Sequence, residues 1–166
     1  MGAPTSSATI EFPVSLIDTD IWEELKEEGV RGEFKGDSLD LDSPSYDMET
    51  EVEGGIFRLH NPEARYGEFN DLEELFMAKG IPFDRESGMD WNRPPERRVY
   101  RPAREGLNAQ IDDYVDLNQD GEEVVTVAAI REVAEMGVMG AVKNYLNKEF
   151  PTYPPLTPWV KDEGAA

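Results

Sequence analysis

From residue 47 to residue 53 the chain reads DMETEVE, with a carboxylate at every second position: Asp47, Glu49, Glu51 and Glu53. This alternation restricts the fold more than any other feature. Successive side chains of a strand point to opposite faces, so as a strand the segment projects all four acids to one side, about 6.6–6.8 Å apart. Met48, Thr50 and Val52 then turn the other way, toward a core. Gly54-Gly55 follows at once and predicts a hairpin, with IFRLHN as the returning strand.

Around this hairpin the same reading gives further short elements. ATIEFPVSL predicts a strand near residues 8–14. DTDIWEELKEEG predicts a short helix with Asp20 as cap, Glu23 as its capping-box partner and Gly29 as the stop; Ile21, Trp22 and Leu25 form its buried side. VRGEFKG and DSLDLDS are expected as two short strands about a glycine turn. A second helix follows at DLEELFMAK, capped by Asn70, boxed by Glu73, burying Leu72, Leu75 and Phe76, and ended by Gly80. IPFD reads as a strand entry and RRVYR as a strand within a proline-rich segment. VTVAAIREVAEMGVMGAVKNYLNKEF is the longest helical pattern, open to division at Gly137 and Gly140. Together these predict a single α+β domain, a mostly antiparallel sheet with helices on one face. The domain is expected over residues 8–150, between a flexible segment 1–7 and a proline-rich extended tail 151–166 that docks Trp159 on the core.

Charge bears on function. The net charge of −20 is unevenly spread. Residues 11–53 hold fifteen acids against three bases, residues 79–104 hold seven bases against four acids, and residues 105–135 hold nine acids against one base. Such a chain repels nucleic acid and anionic membranes and attracts basic surfaces, which argues against direct nucleic-acid or lipid binding. With no cysteine there is no disulfide or thiolate chemistry, and a cytoplasmic setting is expected. No apolar run reaches the roughly 18 residues of a membrane span.

Asp37, Asp40 and Asp42 are expected to extend the row of Asp47, Glu49, Glu51 and Glu53 on a neighbouring strand. With Asp112 and Asp113 they form the candidate partner-binding surface. Lined-up like charges destabilise a sheet, so a functional surface is one reading. Ordinary solubilising charge and adaptation to high salt are the others. The arginine strip RPPERRVYRPAR combines Arg93, Arg97, Arg98, Arg101 and Arg104 with Tyr100. In so acidic a chain its expected work is pairing with the acids around it.

DLNQDG opens like a calcium loop, with Asp116, Asn118 and Asp120 at positions 1, 3 and 5 and Gly121 at the bend. Position 12, which would supply a bidentate Glu, is Val127. A turn is the leading expectation and a calcium-linked module the alternative; no other cofactor is implied. His60, the one histidine, is expected to be structural or solvent-facing. No nucleotide-binding, zinc-protease or triad pattern stands out, so a non-enzyme is expected.

The stretch GEFNDLEELFMAKGIPFDRESG…PPERRVYRP, residues 67–102, resembles a segment of small uncharacterised proteins of phages and plasmids and covers about a fifth of the chain. In physical character (size, absence of cysteine, concentrated acid) the chain resembles the nucleic-acid-mimic inhibitors that mobile elements direct against restriction and CRISPR systems. That resemblance implies a non-catalytic protein that occupies the basic nucleic-acid groove of a host defence protein.

Overall fold

The computed structural model describes residues 4–36, 38–42, 48–89, 93–104, 109–125, 127–135 and 153–159. Strand β1 (Thr5–Pro13) alternates Ala8, Ile10 and Phe12 on its core side with Thr9 and Glu11 on the other. It begins three residues before the expected position 8, so Thr5–Ser7 belong to the sheet. A short 3-10 turn, Val14–Leu16, leads to helix α1 (Thr19–Glu27). Its cap is Asp18, whose carboxylate accepts the Ile21 amide at 3.0 Å. Asp20, the expected cap, instead binds Lys79 at 2.8 Å, and Lys79 also holds Asp18 at 2.7 Å. The two carboxylates thus tie α1 to the end of the second helix.

Strands β2 (Gly32–Lys35) and β3 (Ser38–Leu41) form a separate two-stranded sheet. Gly32 has φ 147°, and a Cβ there would lie 2.2 Å from the Asp40 carbonyl oxygen, so only glycine fits. Strands β4 (Glu49–Glu53) and β5 (Ile56–Arg65) form the expected hairpin, with positive φ at Gly54 and Gly55. β5 runs on through Pro62 because its register with β1 shifts there: Ala8 faces Asn61 while Ser6 faces Ala64. The extra residue is a β-bulge, a place in a strand that tolerates proline.

Helix α2 (Asn70–Lys79) starts one residue earlier than its expected cap implies. Phe69 precedes it, and Glu73 reaches back to accept the Phe69 amide at 3.1 Å. Gly80 ends it in the left-handed region, as expected. Strands β6 (Phe83–Ser87), β7 (Glu96–Arg101) and β8 (Ile111–Asp116) complete the large sheet, and helix α3 (Val127–Glu135) follows. The rest of the long helical pattern, with Gly137 and Gly140, lies outside the described residues.

The large sheet is antiparallel throughout, in the order β4-β5-β1-β6-β7-β8. This is the expected α+β architecture. One face carries the core: Ile10, Phe12, Phe57, Leu59 and Phe83 meet Ile21, Trp22 and Leu25 of α1 and Leu72 and Phe76 of α2. The Phe76 ring lies 4.5 Å from that of Phe12 and 5.9 Å from that of Phe83. Burying such rings removes about 1.5–3 kcal/mol each from the cost of exposure. Among the described residues no helix is long and apolar enough to cross a membrane.

Candidate functional site

Because α1 and α2 cover one face, every other side chain of the central strands is turned to the opposite, open face. Strand register aligns those residues in two rows across the sheet. One row runs Glu49, His60, Thr9, Glu86, Arg97, Val115; the next runs Glu51, Arg58, Glu11, Asp84, Val99, Asp113. From β4 to β7 the rows floor a trough of about 1040 Å³, bounded further by Arg101, Glu123 and the segment Tyr153–Pro155. Six carboxylates and three guanidiniums line it.

Each of those arginines already has a carboxylate. Arg58 binds Glu11 at 2.6 Å, Arg97 binds Glu86 at 2.6 Å and Glu123 at 3.3 Å, and Arg101 binds Asp84 at 2.8 Å. Desolvation lowers the Arg97 pKa, but its hydrogen bonds and Coulomb contacts with Glu86 and Glu123 leave it raised. Arg101 is only 2% exposed, and its Nε also donates to the Pro154 carbonyl at 2.6 Å, fixing the far wall of the trough. Beside that wall, burial and the nearby Asp113 carboxylate push the Tyr153 hydroxyl up to about 12. Thr9 Oγ1 and His60 Nδ1 lie 2.9 Å apart in mid-trough, so the single histidine is held by a hydroxyl on the neighbouring strand.

At the other wall, Glu49, Glu51 and Glu53 are exposed and form no ion pair among the described residues. This part of the expected acidic row is present as drawn. The remainder is not continuous with it. Asp40 lies on β3, opposite Glu33 in the separate small sheet, and Asp42 follows that strand, so neither stands beside β4. Asp112 projects to the helix-covered face, where Arg98 grips it at 2.8 and 2.9 Å, while Asp113 is on the open face beside Tyr153. Adjacent residues of one strand cannot share a face, which is why these two part. Asp37 and Asp47 lie outside the described residues.

The arginine strip serves internal pairing, as charge balance requires. On the core face Arg85, 1% exposed, binds Glu73 at 3.2 Å and Glu96 at 3.0 Å and donates to Ser87. Arg98 joins Glu73 at 2.8 Å to Asp112, and these hydrogen bonds hold its pKa above the ordinary guanidinium value. Arg93 reaches Glu68 at 3.5 Å, and Arg104 stacks on Trp159 at 3.9 Å. Trp159 is only half-buried against that arginine; Leu156 is the fully buried residue of the C-terminal segment.

The DLNQDG segment is a turn. Asn118 Oδ1 accepts the amides of Asp120 and Glu122, each at 2.9 Å, and the Asn118 carbonyl accepts the Gly121 amide at 3.1 Å. Asp116 lies on β8, ahead of the turn. Among the described residues no three His, Asp or Glu side chains converge as metal ligands.

Sequence reasoning missed Glu11, Asp84, Glu86 and Glu123 as members of the open face. A signal existed: Thr9 and Glu11 alternate with Ile10 and Phe12, and Asp84 and Glu86 alternate with Phe83 and Arg85. No family model matches this chain, and neither the curated proteins nor the solved structures yield a match.

Proposed function

We propose that this protein is a non-catalytic acidic interaction protein that competes with nucleic acid for the basic surface of a nucleic-acid-binding protein. A host defence protein is the class of partner suggested by its physical resemblance to mimic inhibitors. The observation that carries the reading is the row Glu49, Glu51 and Glu53, exposed on β4 with no cation partner among the described residues. Its pitch of about 6.6–6.8 Å matches the rise of two nucleotides along the B-DNA axis, about 3.4 Å each on one strand. The working surface is β4 with the adjoining trough, rather than one array running from Asp37 to Asp113. A partner engaged in this way binds through ion pairs, so its affinity falls with salt as nucleic acid's does.

The test uses purified restriction and CRISPR effectors, each holding a fluorescent duplex. Added protein is expected to lower the duplex anisotropy at low salt, and the Glu49→Gln, Glu51→Gln, Glu53→Gln triple variant is expected to lose that effect while keeping its circular dichroism. A triple variant that competes as well as the parent removes β4 from the interaction.

A further inference from the structure

Resting on that reading, we infer that the trough itself seats an extended arginine- or lysine-bearing segment of the partner, laid across the strands from β4 to β7. Among the described residues no helix packs on the open face of the sheet, and its charge selects the occupant. Arg58, Arg97 and Arg101 are matched by Glu11, Glu86 and Asp84. A phosphate chain therefore finds no free cation on this floor among the described residues, and Glu49 and Glu51 repel it. A cationic chain meets two unmatched carboxylates at one wall and, at the other, the Tyr153 ring, a surface on which a guanidinium stacks.

The width of the sheet sets the length of the segment. The lining runs from β4 to β7, four inter-strand spacings or about 19 Å. An extended chain rising about 3.3 Å per residue fills it with about six residues, every second one turned to the floor.

The probe is a fluorescent hexapeptide, Arg-Ala-Arg-Ala-Arg-Ala, titrated by anisotropy, with spermine and the glutamate version of the peptide as competitors. We expect saturable binding, weakened at least tenfold by Glu49→Gln with Glu51→Gln. Glu86→Gln, which leaves Arg97 short of a partner inside the trough alone, is expected to weaken it about fivefold. Glu53→Gln, outside the lining, is expected to leave it within twofold. Unchanged affinity in both trough variants, or spermine displacing the peptide at equal concentration, overturns the inference. If the β4 triple variant still loses its competition with duplex DNA in that event, the proposed function stands without the trough. Peptide binding by a protein that releases no duplex from any effector removes the proposed function and leaves the trough as a basic-peptide site.

Discussion

At one edge of the large sheet Glu49, Glu51 and Glu53 meet no cation among the described residues; at the other Asp112 is gripped by Arg98 and Asp113 lies beside Tyr153. Both edges descend from the two acid-rich blocks of the sequence, yet at the second Asp112 is neutralised by an arginine and Asp113 is engaged by a hydroxyl. The difference lies in the neighbours. β8 pairs with β7, which carries Arg97, Arg98 and Arg101, whereas β4 pairs with β5, whose Arg58 is drawn to Glu11 on the far side. Acidity in a sequence therefore says little about acidity of a surface until the strand order is known. Free charge on β4 has a second effect: it discourages edge-to-edge pairing with other copies of the chain.

The comparison can be broken most severely beneath the neutralised edge. Arg85→Met leaves Glu73 with Arg98 alone in a site where both are largely buried, and is expected to cost about 3–5 kcal/mol in urea denaturation. Asp112→Asn, at the edge itself, removes a bidentate charge-assisted pair and is expected to cost about 1–2 kcal/mol by the same measurement.

Glu28 sharpens the contrast, because among the described residues it meets no cation and it is partly buried. Burial first, then Glu24, Asp71 and Glu73, raise its pKa from 4.5 to about 7. Between those values the native state holds a proton that the unfolded chain releases, so stability falls as pH rises through this window. Glu28→Gln is expected to stabilise the protein at pH 8 by on the order of 1 kcal/mol and to flatten the slope of melting temperature between pH 4.5 and 7. The smallest effect belongs to β4. Neutralising Glu49, Glu51 and Glu53 together is expected to shift the unfolding free energy by no more than about 0.5 kcal/mol, because no ion pair is lost and some repulsion is relieved.

Local signals were strong enough to read most elements. Gly54-Gly55 fixed the β4–β5 hairpin, Gly80 the end of α2, and Ile21, Trp22 and Leu25 the buried side of α1. The helix caps shifted by one or two residues: Asp18 caps α1 with one carboxylate oxygen while its other oxygen and Asp20 both hold Lys79. β5 outran its expected end because a bulge accommodates Pro62, and no short-range pattern announces a bulge. β8 went unread because its alternation, IDDYVD, is broken by paired acids. The site was legible only along single strands. Its rows run across them, joining Glu51 to Glu11 and Asp84, and that adjacency comes from pairing between segments far apart in the chain.

The bond from Arg101 to the Pro154 carbonyl spans 53 positions. During vectorial synthesis β7 therefore emerges well before Pro154, and the Arg101 Nε gains this acceptor only when residue 154 has been added. Until then the guanidinium already has Asp84 and the Phe83 carbonyl to hold it, so the late bond fastens a C-terminal segment onto an arginine set in place by the sheet.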